Sequence, residues 1–245
     1  MISPLVRHFA LAVALVSMAT AVRSQSANAD LSAAQIADQM QSHDQQRTQQ
    51  LRFYKTLRHY EVEYRGFSSR IEASMAVEVD FDSSTGKNLV IVSERGSKFL
   101  TEKVLKRAVD SEREAFQQKS STALTTANYR FHLVGQEILE GRPAYVLDVE
   151  PLVPTKFLYR GRIWVDAADF AMVKMETEPA KNPSFLISRT RIHYIGVKKD
   201  GFWVPRQMRS ETNVRIGGTA VLTIDYGDYE LASNPAPDTP LGLGH

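Results

Sequence analysis

The sequence contains no cysteine. No disulfide can form, so the fold must rest on its hydrophobic core. Nor is there an N-terminal cysteine to carry a lipid, so the chain is not expected to be a lipoprotein itself. Histidine is sparse: His8, His43, His59, His132, His193 and His245, none at the HxxxH or HxH spacing of a metal site. No metal and no cofactor are therefore expected. No GxSxG nucleophile elbow occurs. Ser84-Thr85-Gly86-Lys87 lacks the earlier glycine and the following hydroxyl residue of a phosphate-binding loop, and reads as a turn. No catalytic residue is expected, and an enzyme is not the preferred reading.

A strong net charge is also missing. The 30 basic residues face 28 acidic ones, and loss of an N-terminal segment with Arg7 and Arg23 would equalise them. A neutral chain argues against nucleic acid as a partner. The only notable apolar run is Phe9–Val16, preceded by Arg7 and His8 and followed by small residues. That order is the signature of a secretory signal peptide. Ala19-Thr20-Ala21, Val22-Arg23-Ser24 and Ala27-Asn28-Ala29 are candidate cleavage sites, so residues 1–29 are expected to be a signal, cut between 21 and 29. No later run approaches the roughly 20 apolar residues of a membrane-spanning helix. The mature chain is expected to be a soluble periplasmic monomer.

What the chain has in quantity is alternation. Ile71, Ala73, Met75, Val77, Val79 and Phe81 alternate with polar residues such as Glu72, Ser74 and Glu78. Period two with one wet face marks an antiparallel strand. The same pattern sets Tyr60, Val62 and Tyr64 on one face of a strand, Tyr145 and Leu147 on another, and Leu222 and Ile224 on a third. In the stretch from Tyr159 to Ile187 it turns Tyr159, Ile163, Val165, Val173, Met175, Phe185 and Ile187 to one side. Asp200-Gly201 is a two-residue hairpin signal. Strands are expected from near Thr56 onward, about ten in all. Two segments break the pattern with helical spacing: Leu31–Leu51, capped by Asp30 or Ser32, and Lys98–Gln117, with Leu100, Val104 and Ala108 in a stripe beside Leu105 and Val109. The second would be about 30 Å long. Lys119–Thr126 reads as a polar loop.

The expected fold class is mainly β with helices (α+β): a strongly curved antiparallel sheet, or incomplete barrel, with the N-terminal and mid-chain helices as lid or plug. Residues 30–231 form one domain, and 232–245, rich in proline and glycine, a tail. Asp166 and Asp169 flank Ala167-Ala168 at a strand end. Paired carboxylates can do acid–base work, but a tight reversal there makes turn formation the stronger reading. Arg189, Thr190, Arg191 and His193 interrupt an apolar pattern, either as a solvated face or as the rim of a cavity.

Three motifs carry a family resemblance: GRIWVDAADFAMVKMETEPAKNPSFLI, DGFWVPRQM and VRIGGTAVLTIDYGDYE. From about Tyr129 to Leu231 the chain resembles the outer-membrane lipoprotein-sorting proteins of the LolA-like superfamily, in a divergent bacterial branch. The first half matches in layout only. The resemblance implies an incomplete barrel whose helices cover an apolar cavity for acyl chains. The cavity residues would be Met75, Val77, Val79, Phe81, Tyr145, Leu147, Tyr159, Ile163, Val165, Val173, Met175, Phe185, Ile187, Leu222 and Ile224, and the lid residues Leu100, Val104 and Ala108. It implies lipoprotein or lipid acyl chains as ligands, with inner-membrane release and outer-membrane acceptor proteins as further partners. The family's carriers use an arginine near the lid. That arginine is not assigned among Arg58, Arg65 and Arg70, and none is carried over.

The expected function is thus a periplasmic carrier, or chaperone, for acyl chains of lipoproteins or lipids. An envelope-stress sensory domain that binds lipid or lipoprotein and a protein partner is the alternative. An exported hydrolase ranks third.

Overall fold

The computed structural model describes residues 31–66, 69–117, 119–182, 184–215 and 217–233. The expected signal peptide and all but the first two residues of the expected tail lie outside them. Ser32 caps the first helix, α1 (Ala33–Gln50), in a capping box: its Oγ accepts from the Gln35 backbone N–H, and the Gln35 side chain accepts from the Ser32 N–H. The stripe of this helix is narrow. Only Ile36, Ala37 and Met40 are buried, as suits a helix that docks by one face onto a sheet.

Strand β1 (Leu51–Arg65) begins at the helix C-cap, several residues before the Thr56 start expected from alternation, because Phe53 and Tyr54 already pair with both neighbours. Next come β2 (Arg70–Asp82) and β3 (Gly86–Gly96). The mid-chain helical segment follows as α2 (Lys98–Leu100), a π-helical turn (Thr101–Leu105), α3 (Lys106–Gln117) and the short α4 (Lys119–Thr122), which replaces part of the expected polar loop. Seven strands complete the chain: β4 (Tyr129–Leu139), β5 (Arg142–Pro151), β6 (Tyr159–Asp166), β7 (Met172–Pro179), β8 (Ile187–Lys199), β9 (Phe202–Val214) and β10 (Thr219–Ser233).

All ten strands form one antiparallel sheet in the order β3-β2-β1-β10-β9-β8-β7-β6-β5-β4. Every neighbour is a hairpin partner except β1 and β10, where the first strand pairs with the last. The sheet is curved and does not close. Its free edges are β3 and β4, the two strands that the helical segment connects. Tight turns serve the hairpins: Glu140-Gly141 and Asp200-Gly201 both have positive φ at both positions, the geometry of a type I′ turn. Gly161, at φ 133°, lets β6 approach β7, since a Cβ there would stand 2.6 Å from the Glu176 carbonyl oxygen.

Both helical segments lie on one face of the sheet. Under α2, the π turn and α3, Leu100, Leu105 and Val109 bury against Tyr60, Val62, Met75, Val77, Val79 and Ile224. Under α1, Ile36 and Met40 bury against Tyr129, Tyr145, Leu147, Ile163 and Val165. A third cluster of Ala144, Val146, Trp164 and Val173 lies on the opposite face, flanked by Leu139 and Trp203. Among the described residues no helix is long and apolar enough to cross a membrane.

The mid-chain helix departs from its expected stripe. Leu105 and Val109 are fully buried, while Val104 and Ala108 are only partly so. The π turn inserts one residue into the helical ladder, so the inward face after Leu100 moves on by one position.

Candidate functional site

Arg58 sits in the middle of β1, paired with Val77 on one side and Tyr226 on the other. Strand parity with Tyr60 and Val62 turns it inward, and only 3% of it is exposed. A cation there needs a partner. Its Nη1 donates to both carboxylate oxygens of Glu112 on α3, at 2.9 and 2.7 Å. Lys87 on β3 donates to the same carboxylate. The guanidinium also lies over the Tyr226 ring, 4.6 Å from its centroid.

The electrostatics follow from burial and charge. Burial alone would lower the Arg58 pKa, but Glu112 and then Tyr226 outweigh it, and the guanidinium is held above its ordinary range. Burial would raise the Glu112 carboxyl, yet Arg58 and Lys87 keep it below its ordinary value. Burial depresses Lys87, and Arg58 adds to this, against the pull of Glu112. Two cations thus share one carboxylate in a largely apolar setting. The cluster so carries one more positive charge than negative, and the Arg58 Nε has no hydrogen-bond partner among the described residues.

Beside this cluster the inner face runs across β7, β8, β9 and β10, between the areas covered by the two helical segments. Register places Thr177 opposite Ile192, Met175 opposite Tyr194, and Met208 between Tyr194 and Ile224. Tyr194, Met208, Leu222 and Tyr226 are half-buried by area. Burial nevertheless pushes the Tyr194 and Tyr226 phenols well above their ordinary range, as for groups with protein on nearly every side. These side chains lie on the inner face between the two helix-covered clusters, with Met208, Leu222 and Tyr226 packed against the first. A hydroxyl seam crosses this stretch: Thr190 and Thr212 share a hydrogen bond of 3.0 Å, and the buried Thr177 Oγ1 has no partner among the described residues.

The expected cavity residues divide by position. Met75, Val77, Val79, Tyr145, Leu147, Ile163, Val165 and Ile224 all face inward but are buried beneath the helices, in packed core. Phe81, Tyr159, Met175 and Leu222 are inward and half-buried. Two residues are corrections. Val173 belongs to the cluster on the opposite face, because a bulge between β6 and β7 sets Val165 against Met172 and breaks the alternation there. Phe185 lies outside any strand, in the β7–β8 loop, and is 83% exposed. Ile187 opens β8 at the rim, opposite Val214. Of the expected lid residues, Leu100 is buried, and Val104 and Ala108 flank the buried line.

Sequence reasoning did not select Arg58, Lys87 and Glu112. The parity of Arg58 with Tyr60 and Val62 was a usable signal. Glu112 had none, since its partners lie 25 and 54 positions away. Arg65 and Arg70 are exposed and pair with Glu63.

The polar candidates are otherwise engaged. Asp166, 2% exposed, accepts from Arg142 and from the backbone N–H groups of Ala168 and Asp169. Asp169 accepts from Arg142, Lys198 and Trp203, and its carbonyl accepts from Arg47 of α1 at 2.8 Å. Both aspartates therefore brace the β6–β7 turn, as the turn reading expects. Thr190 faces inward. Arg189, Arg191 and His193 line a depression of about 450 Å³, where Arg189 pairs with Glu178 and Arg191 with Glu211. That depression is a solvated ion-pair surface.

No family model matches the chain, and no curated protein matches it. Among solved structures, the chain is similar to a DUF1329 family protein from Desulfovibrio piger, at 12% identity and a TM-score of 0.44, with 84% of this chain and 96% of that one covered. It is similar to an outer membrane lipoprotein-sorting protein domain from Vibrio parahaemolyticus, at 12% identity and a TM-score of 0.41, covering 83% and 94%. It is also similar to a LolA superfamily protein from Nitrosomonas europaea, at 13% identity and a TM-score of 0.35, covering 84% and 96%. These likenesses concern layout. The curved, unclosed ten-stranded sheet with helices on one face stands on the strand pairing itself.

Proposed function

We propose that this chain is a periplasmic carrier that holds acyl chains of lipoproteins or lipids in an inner-face recess, with the mid-chain helix as its lid. The observation that carries the reading is the stretch of inner face between the two helix-covered clusters, where partly buried Tyr194, Met208, Leu222 and Tyr226 lie side by side. Aromatic and methionine side chains suit apolar ligands of varied shape. Burial contributes about 0.8 kcal/mol per CH₂, so a chain of about sixteen carbons has roughly 12 kcal/mol of gross driving force before ordering costs. Holding such a ligand needs no catalytic group. Releasing it needs a cover that can move, and α3 is tied to the sheet by a polar cluster that charge or a ligand can perturb. The excess positive charge of Arg58 and Lys87 suits a ligand with an anionic end.

Native mass spectrometry of gently purified protein tests this. The expected result is a population carrying masses of lipid or acylated peptide, and uptake of an added fatty acid. A uniformly ligand-free protein that takes up no fatty acid, phospholipid or acylated peptide would overturn it.

A further inference from the structure

The two ends of the sheet differ in chemistry. At one end lie the β5–β6 loop (152–158), the β7–β8 loop (180–186) and the β9–β10 turn (215–218). These segments contain Lys156, Lys181 and Arg215 and no acidic residue. At the other end, each hairpin turn has an acid in it or beside it: Asp82, Glu140, Asp169 and Asp200.

The first end is also apolar where it meets solvent. Phe185 is 83% exposed and Val153 70%, with Leu152 and Leu186 beside them at 49% and 39%. Apolar side chains this exposed on consecutive loops call for a partner. Backbone hydrogen bonds join the loops into one platform: the Ala180 N–H donates to the Leu158 carbonyl at 2.7 Å, and the Arg215 N–H to the Leu186 carbonyl at 2.8 Å. Lys181 and Arg215 have no ion-pair partner among the described residues, and Lys156 reaches Glu114 only at 3.3 Å on an exposed surface, a weak tie.

We propose that this end docks on an anionic lipid bilayer, with Phe185, Val153, Leu152 and Leu186 entering the interface and Lys156, Lys181 and Arg215 facing the headgroups. Apolar tips on loops that carry cations and no acid are the composition that favours an anionic bilayer surface. A neutral or acidic protein surface would leave the cations or the apolar tips unmatched. Docking there also brings the β5–β6 loop and α3, joined through Lys156 and Glu114, to the membrane. The proposal stands apart from the carrier reading, since it concerns the outside of the loop end and not the recess.

The test is co-sedimentation of the full-length protein with vesicles of phosphatidylethanolamine and phosphatidylglycerol, and with vesicles of phosphatidylcholine alone. Variants share the same N-terminal segment with the wild type, so any contribution from it cancels. Phe185→Ser is expected to lower partitioning to anionic vesicles by about tenfold. Lys156→Gln with Lys181→Gln is expected to lower it by about tenfold or more on anionic vesicles only. Ile138→Ser is the control: it removes a side chain 69% exposed near the other end of the sheet and should change nothing. Circular dichroism confirms folding of each variant. Equal binding by wild type and Phe185→Ser, equal binding to both vesicle types, or loss of vesicle binding altogether would overturn the proposal. In the last case an acidic protein surface becomes the candidate partner.

Discussion

Arg58 on β1 donates two hydrogen bonds to Glu112 on α3, across the inner face of the sheet. The pair is unequal in its dependence. If Glu112 is removed, Arg58 and Lys87 stay buried without a counter-charge. If Arg58 is removed, Glu112 keeps Lys87. Glu112→Ala is therefore expected to cost more than Arg58→Ala, with about 3–5 kcal/mol for the first, the range for breaking a buried ion pair from one side. Replacing both, as Arg58→Met with Glu112→Leu, should recover much of the loss. Urea unfolding of the three variants measures this, and an equal cost for both single changes would contradict the shared-carboxylate arrangement.

The same cluster sets an acid limit. The Glu112 folded pKa lies below its ordinary 4.5, because Arg58 and Lys87 outweigh the effect of burial. A carboxyl with a depressed folded pKa contributes stability that is fully present above the ordinary value and is lost as pH falls through the folded one. Asp166 adds a contribution of the same sign below its ordinary 3.8: burial would raise it, but Arg142 and two backbone N–H groups hold it down. Protection factors of the α3 amides, taken against the intrinsic exchange rate at each pH, are expected to fall as pH drops below 4.5, and Glu112→Gln should flatten that dependence. At the alkaline end the sign reverses. Burial raises the Tyr54 phenol from 10.0 to about 12, so its contribution is present below pH 10 and lost as pH climbs toward 12. A melting temperature that stays flat from pH 10 to 12 would count against the buried placement of Tyr54.

Side-chain deletions along the mid-chain helix separate its two possible stripes. Leu105→Ala is expected to cost about 2–5 kcal/mol and Val109→Ala about 2, since both are fully buried. Val104→Ala should cost less than about 1 kcal/mol. The reverse order would mean that the helix runs without its π turn. Chemical denaturation of the three variants decides between them.

That helix shows what the sequence carried and what it did not. Period-two alternation placed the strands and the one-sided sheet, and helical spacing placed the two helical segments, because each pattern repeats over many residues. It could not register a single inserted residue, and the same failure recurs in β7. There one bulge moves Val173 to the face of Trp164. Trp164 is only 4% exposed on that outer face, where its Nε1–H donates to Glu137. Alternation predicts the side of a sheet, and cannot say whether that side is covered. The ion cluster was hidden for another reason: Arg58, Lys87 and Glu112 meet only after the helix has folded back over the sheet.

Asp166 offers a check on the turn reading. Its carboxylate accepts from Arg142, at 2.6 and 2.9 Å, and from two backbone N–H groups. Asp166→Ala leaves those N–H groups without an acceptor at a buried site, and should cost about 2–3 kcal/mol. Asp166→Asn, which keeps one acceptor oxygen, should cost less. Neither change should affect any hydrolysis measured on an ester or glycan panel. Turnover that disappears with folded Asp166→Asn would instead make the aspartate a catalytic group.

Met208 tests whether the recess is space or packed core. It sits on the inner face between Tyr194 and Ile224 and is half-buried. Met208→Trp adds a large ring at that point. If the neighbouring volume is already filled, the ring must push the β8 and β10 side chains aside, at a cost of about 1–3 kcal/mol. If the volume is open to a ligand, the ring occupies it with little loss of stability and excludes the acyl chain. The expected outcome is the second: a melting temperature within a few degrees of wild type, with uptake of a fluorescent fatty acid reduced about tenfold. A destabilised variant with undiminished uptake would place the ligand elsewhere. Leu147→Ala serves as the contrast, because Leu147 is fully buried beneath α1. It should lose about 2–5 kcal/mol, as core residues do, while its fatty-acid uptake at low temperature, where it remains folded, stays near wild type.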